Sequence, residues 1–255
     1  MFEFDYFLRN IKKAAVVPKK IQAKSPGTYP LHRERQRRRI LAAAEKLFDE
    51  RGIDRTTMAE IIVASGLRAS TLYEYFSKKD DIVWALVSQV FEEDSNSVRK
   101  SVDTATTGLA KITASLNFMA SELSSKQAKV RFMAQFDAMY ARDWPVERLL
   151  TLEGQLNDQG FTILGALVRE GIADGSLRAD LDPELTLHAV LNAVIGAQRR
   201  LASLGAKVET EYGQPIDRLF QEMIRIVLLG LSAPEKPGTP TKRVIARKST
   251  TRKRT

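Results

Sequence analysis

The stretch from Thr56 to Lys79, TTMAEIIVASGLRASTLYEYFSKK, limits what this chain can fold into more than any other. Thr57 is a good N-cap and Glu60 stands three residues on, the spacing of a capping box that opens a helix at Met58. Ser65 and Gly66 close that helix, because glycine accepts the left-handed backbone that ends one. Leu67 then drops an apolar side chain into the angle that follows. The second helix runs from Arg68 or Ala69 to Phe76. Leu72 and Phe76 are four apart and share a face with Leu67 or Ala69, so this face packs on the first helix. Two short helices joined by a tight glycine turn, with a third starting at once near Lys79, have the sequence form of a helix-turn-helix.

The opposite face of the second helix is left free. It carries Arg68, Ser70, Thr71, Tyr73 and Glu74: one guanidinium, two short hydroxyls, one phenol and one carboxylate. Arginine pairs with guanine edges, serine and threonine meet bases or phosphates, tyrosine suits a phosphate, and glutamate accepts from a cytosine amine. On this chemistry Arg68, Ser70, Thr71 and Glu74 are expected at bases, and Tyr73, Tyr75, Lys79 and Arg35 at phosphates. Lys79 lies at the start of the third helix, where a cation and free backbone N–H groups both suit a phosphate. Thr57, at the opening of the first helix, joins the set of expected DNA contacts.

These residues resemble the tetracycline-repressor family of bacterial regulators. The family's long first helix is matched by Ile40, Ala43, Ala44, Leu47, Phe48 and Gly52. Its paired threonines are matched by Thr56 and Thr57, followed by Ile61 and Gly66, and its Thr-Leu-Tyr-x-Tyr-Phe run stands at Thr71 to Phe76 with Lys79 after it. A Gly-x-Leu-Arg-x-Asp-Leu-Asp-Pro-Glu segment at Gly175 to Glu184 also looks like the family. The likeness covers residues 33–86 at motif level. Three positions depart: Arg68 stands where the family usually has a capping serine, Ser70 where glycine is common, and Ile62 where alanine is common. The resemblance implies an all-α protein in which an N-terminal helix-turn-helix domain is joined to a helical domain for effector binding and dimerisation.

The charge distribution fits a nucleic-acid partner. The chain of 255 residues has a formal net charge of +9. Residues 1–39 carry 11 basic and 3 acidic side chains and residues 232–255 carry 8 and 1, so the middle holds 21 basic against 27 acidic. An acidic helical body with basic ends suggests phosphate contact by the ends and a sequence-reading helix between them. With no cysteine, disulfides and thiolate metal sites are excluded, which fits a reducing cytosol. His32 and His188 are too far apart in sequence for a local metal motif. The longest stretch free of Asp, Glu, Lys and Arg is Leu185 to Gln198, 14 residues, short of the ~20 that a membrane-spanning helix needs. The start does not have the form of a secretory signal, since Glu3 and Asp5 interrupt it.

Four regions follow. Residues 1–32 form a basic arm, broken at Pro18, Pro26, Gly27 and Pro30. Three readings fit it: a solvated tail, an arm entering the minor groove beside the recognition helix, or a start placed too far upstream; composition favours the first. Residues 33–86 are the DNA-binding domain, opening with the arginine-rich head of a long helix. Residues 87–231 are helical throughout, with segments near Leu109–Leu123, Ala128–Ala141, Val146–Gly171, Pro183–Leu204 and Pro215–Leu231. Residues 232–255 are a disordered basic tail.

Within the third region Phe118, Met119, Phe132, Met133, Phe136, Met139, Tyr140 and Phe161 are large, adaptable apolar groups of the kind that line an effector cavity, though such a stripe equally makes plain core. Leu191, Val194, Ile195, Leu219, Phe220, Met223 and Val227 lie on the broad apolar faces of the last two helices. The resemblance implies that this pair forms a four-helix bundle with its two-fold mate. The expected protein is therefore a cytoplasmic, nucleoid-associated, homodimeric regulator, most simply a repressor of a palindromic operator. Its partners are double-stranded DNA, a second copy of itself and a small apolar effector; no cofactor, metal or membrane is expected. A sequence-nonspecific architectural DNA-binding protein is the alternative. No phosphate loop, metal-ligand spacing or activated nucleophile points to an enzyme.

Overall fold

The computed structural model describes residues 28–141, 147–148 and 161–234. Most of the expected N-terminal arm and basic C-terminal tail lies outside them, as does the side chain of Phe161. Ten α-helices are described: α1 (Thr28–Arg51), α2 (Met58–Ser65), α3 (Ala69–Tyr75), α4 (Lys79–Val102), α5 (Gly108–Ser125), α6 (Gln127–Tyr140), α7 (Phe161–Ala173), α8 (Pro183–Leu204), α9 (Lys207–Tyr212) and α10 (Ile216–Leu231). An isolated antiparallel bridge between Leu177 and Ser232 is the nearest thing to β-structure among these residues.

Helix α1 begins at Thr28, earlier than the charge pattern implies. Pro30 does not stop it, because the first turn of a helix has no acceptor for the N–H that proline lacks. Its apolar stripe, Ile40, Leu41, Ala44, Leu47 and Phe48, is buried. Helix α2 opens on the capping box: the Thr57 hydroxyl accepts from the Glu60 N–H and the Glu60 carboxylate accepts from the Thr57 N–H. It closes on Gly66 at φ 64°. A side chain there would be strained, and its Cβ would stand 3.1 Å from Nη2 of Arg39. Helix α3 has seven residues, and Arg68 at its N-cap gives no side-chain bond to the first turn.

Two cores follow from the way α4 is used. This helix has 24 residues, about 36 Å at 1.5 Å per residue. Its first turns bury Ile82, Val83, Leu86 and Val87 against α1, α2 and α3, and its last turn sends Val102 into the second core. The first core is not built from the N-terminal helices alone. Phe132, Met133 and Phe136 of α6 enter it, the Phe132 ring stacked 6.1 Å from Phe48 and the Phe136 ring edge-on at 5.0 Å from Trp84. The second core joins Val102, Leu116, Leu123, Val194, Phe220 and Ile224. Helices α5 and α7 cross there at touching backbones: a Cβ on Gly108 would fall 2.2 Å from the backbone nitrogen of Gly171.

The Gly175–Glu184 segment is a structural clasp. Asp174 accepts from the Gly108 and Ser176 N–H groups, each at 2.8 Å, so it caps α5 from outside that helix. Ser176 and Gly108 then hold the Asp174 carboxyl below its usual range. Asp182 caps α8 through the N–H groups of Glu184 and Leu185, with Pro183 at the first helical position.

The last two long helices are rotated relative to the expected partner-facing stripe. Val194 and Phe220 are 0 % and 1 % exposed within this chain's own core, Leu191 and Ile195 face a cavity described below, and Met223 and Val227 pack against the second core while Leu219 is half-buried. The apolar positions left in the open are Leu185, Ala189, Ala193 and Gly196 on α8 with Ile226 and Leu229 on α10. Each helix carries apolar residues on more than one side, so composition could not say which side the monomer uses.

Candidate nucleic-acid interface

Helix α3 is anchored by one side and bare on the other. Leu72 and Phe76 are buried, while Arg68, Ser70, Tyr73 and Glu74 are exposed and Thr71 is half-buried. None of these five side chains makes a hydrogen bond or ion pair among the described residues. An exposed helix face whose polar groups are unspent can meet base edges without first breaking a contact.

Three of the expected DNA contacts are instead spent inside the protein. The Lys79 ammonium donates to the carbonyls of Ile53 at 2.6 Å, Thr56 at 2.8 Å and Asp54 at 3.3 Å. All three of its donors are thereby used on the α1–α2 loop, which corrects the expectation of a phosphate there. The Thr57 hydroxyl is committed to Glu60, both giving and accepting, and Thr57 and Arg51 together keep the Glu60 carboxyl below its usual range. Tyr75 donates its hydroxyl proton to Gln36 at 2.8 Å, leaving no donor for an acceptor-only phosphate. All three border α2 or α3, and their partners lie 3 to 39 residues away along the chain.

The arginines at the head of α1 divide in the same way. Arg39 donates to the carbonyl of Ser65 at 2.8 Å and so holds the end of α2. Arg38 pairs with Glu34. Arg33 lies over the Tyr75 ring at 5.5 Å and Arg37 over the Phe76 ring at 5.8 Å. Arg35 is exposed and has no partner among the described residues, which makes it the cation of this helix most ready for a phosphate.

Helix α6 grips this domain from behind. Arg131 pairs with Asp49 at 2.6 Å. Gln135 accepts from the Ile53 N–H at 2.8 Å and donates to the Phe48 carbonyl at 3.5 Å, so one amide closes the end of α1. Tyr140 donates to Asp80 at the start of α4, and burial together with that carboxylate pushes the phenol pKa well up. Arg148 pairs with Asp80 and Asp81, each at 2.9 Å, and lies over the Trp84 ring. Sequence reading missed these contacts because a glutamine or arginine on an amphipathic helix carries no local mark of a partner 82 residues away.

The other face of α6 lines a cavity of about 150 Å³ between α4, α5, α6 and α8. Of the residues expected to line an effector site, Phe118, Met119 and Met133 line this cavity. Phe132 and Phe136 lie in the first core and Met139 and Tyr140 pack against it. The walls are mostly carbon, with Asp94, Glu122, Lys129, Gln198 and Arg199 among the polar residues. Among the described residues no cluster of His, Cys, Asp or Glu could hold a metal ion, and no helix is long and apolar enough to cross a membrane.

Residues 40–86 match the sequence model described as "Bacterial regulatory proteins, tetR family". The chain is 25 % identical over 203 residues to the HTH-type transcriptional repressor KstR2 of Rhodococcus jostii (strain RHA1), covering 78 % of this chain and 92 % of that protein. It superposes on the ketosteroid transcriptional regulator KstR2 of Mycobacterium tuberculosis with a TM-score of 0.58 at 22 % identity, covering 78 % of this chain and 96 % of that one. A third likeness is to the regulator FadR from Bacillus subtilis, solved in complex with stearoyl-CoA: TM-score 0.59, 18 % identity, 76 % and 98 % of the two chains. The family model is met across the helix-turn-helix, and beyond it the chain shares the all-helical architecture of the transcriptional regulators it is similar to, so residues 40–86 carry a tetR-type helix-turn-helix.

Proposed function

We propose that this protein is a homodimeric repressor, working in the bacterial cytosol, that binds a palindromic operator through α3 and changes its grip when a small effector with an apolar body enters the cavity between α4, α5, α6 and α8. One observation carries the reading. Helix α6 turns Lys129 and Val130 to the cavity and Arg131, Phe132, Gln135 and Phe136 to the DNA-binding helices, with Met133 touching both. A body filling the cavity therefore pushes on the element that fixes the end of α1 and, through Ile53 and Lys79, the start of α2. Coupling of this kind is reciprocal: an effector that prefers badly spaced recognition helices weakens DNA binding, and DNA weakens effector binding by the same factor. The names of two relatives support an apolar effector, one a ketosteroid regulator and the other bound to stearoyl-CoA.

In this reading residues 33–86 bind DNA and residues 87–231 hold the effector and the partner. Arg68, Ser70, Thr71 and Glu74 approach bases; Tyr73 and Arg35 approach phosphates. The dimer forms on the open faces of α8 and α10, where Leu185, Ile226 and Leu229 are 69 %, 58 % and 61 % exposed, and such a two-fold pairing suits half-sites about one helical turn apart.

The test is a fluorescence-anisotropy titration of the purified protein, at two salt concentrations, against DNA from upstream of its own coding region and a shuffled control. Sequence-dependent binding that saturates at two chains per duplex, or four if dimers pair, is expected. Equal and steeply salt-sensitive binding to both DNAs would favour an architectural role.

A further inference from the structure

The wall of the α4–α5–α6–α8 cavity contains a buried ion cluster that its surroundings do not require. The Lys129 ammonium, on a side chain 10 % exposed, pairs with Asp94 of α4 at 2.6 Å and with Glu122 of α5, whose side chain is 8 % exposed. Glu122 also meets Lys126 at 3.2 Å, on the outer side. Arg199 of α8 pairs with Asp137 of α6, and burial pushes its pKa down to about 10. Two cations are thus withdrawn from water beside an apolar chamber. Buried ion pairs of this type contribute little net stability, because desolvating the charges offsets their attraction. Well-packed apolar side chains could fill the same wall at no loss of stability.

The members of the cluster are unequal. Asp94 is 34 % exposed, so it can turn to water at small cost, whereas Glu122 cannot. Lys129 has three N–H donors and two described carboxylate partners. An anion arriving in the cavity could therefore replace Asp94 on Lys129, keeping the ammonium paired and returning Asp94 to solvent. A neutral hydroxyl could share a hydrogen bond with the cluster but would not replace the charge of Asp94 on Lys129. A cationic ligand would have to compete with Lys129 itself for the carboxylates.

We propose that the cavity takes an amphipathic acid, an apolar body bearing one carboxylate, and that this carboxylate binds Lys129 in place of Asp94. The proposal rests on the reading of this cavity as the effector site. A cavity of about 150 Å³ holds a body of benzene size, so a short acyl or aryl acid is the natural probe. Because Asp94 belongs to α4, the exchange also releases one tie between that helix and α6.

Octanoate, octanol and octylamine, matched in apolar length, are titrated by calorimetry into the full-length protein near pH 7.5. Octanoate should bind about ten- to hundredfold tighter than octanol, the worth of one charged hydrogen bond. Lys129→Met combined with Glu122→Gln, which leaves no buried charge unpaired between them, should erase that preference without weakening octanol. Asp94→Asn, which keeps the Lys129–Glu122 pair, should tighten octanoate several-fold by removing the internal competitor. Met133→Trp, which fills the chamber, should abolish binding of all three. Octanol or octylamine binding as well as octanoate overturns the proposal while leaving the cavity as an effector site, and so does an octanoate affinity indifferent to Asp94→Asn. Binding that survives Met133→Trp, or no binding by any of the three, overturns the effector-site reading and the proposal with it.

Discussion

Lys79 offers the sharpest test of how this domain is built, because two roles for one residue predict opposite results. As a loop cap it donates to the carbonyls of Ile53 and Thr56 at 2.6 and 2.8 Å and less closely to Asp54. Lys79→Met keeps most of the apolar stem and removes the ammonium, leaving those carbonyls to water or to nothing. A hydrogen bond to a charged group contributes about 1.5–3 kcal/mol, and the site is only partly buried, so two good bonds and one weak one amount to about 2–3 kcal/mol. For a chain of this size that lowers Tm by about 4–12 °C. Differential scanning fluorimetry reads the shift directly, and anisotropy at several salt concentrations reads DNA binding on the same samples. The cap predicts a lower Tm, weaker DNA binding through a displaced α2, and an unchanged slope of log Kd against log salt. A phosphate contact predicts the reverse: Tm held within about 1 °C and a slope shallower by about one. That second pattern would refute the structural role.

The remaining predictions concern other parts of the same scheme. Arg35→Ala should weaken operator and random DNA alike and reduce the salt slope by about one, whereas Thr71→Ala should narrow the difference between operator and random DNA; parallel loss for both would show the base and phosphate roles to be misassigned. Ile226→Glu with Leu229→Glu places charges on the open face of α10 and should yield a monomer by analytical ultracentrifugation with unchanged helix content; a dimer that persists would move the interface elsewhere. Asp174 has its folded pKa below the usual value of 3.8 through Ser176 and Gly108, so its contribution to stability is present above that value and is lost as pH falls through the lower folded one. Asp174→Asn should accordingly flatten the acid limb of a stability–pH curve, and an unchanged limb would show that the clasp at Gly108 does not depend on the charge.

The sequence by itself determined those features whose causes lie within a few residues of each other. The capping box at Thr57 and Glu60, the left-handed Gly66, the Asp182–Pro183 helix start and the buried stripe from Ile40 to Phe48 are each set by spacing along one or two turns, and the structure holds them as the spacing dictates. From these came the all-helical class, the helix-turn-helix and the bare face of α3. Only the tertiary structure decided what the functional groups touch. Lys79 and Tyr75 have polar ends that suit a phosphate equally well in isolation, and what commits them are acceptors 23 and 39 residues away, on Thr56 and Gln36. In the same way Phe118 and Phe132 are alike in the sequence, yet one lines the cavity and the other fills the first core. On α8 and α10 the choice among several apolar sides was made by packing: Val194 and Phe220 face inward and Leu185 and Leu229 outward. Periodicity says that a helix has an apolar face, but which neighbour covers it depends on how helices distant in sequence meet, and that is a property of the whole fold.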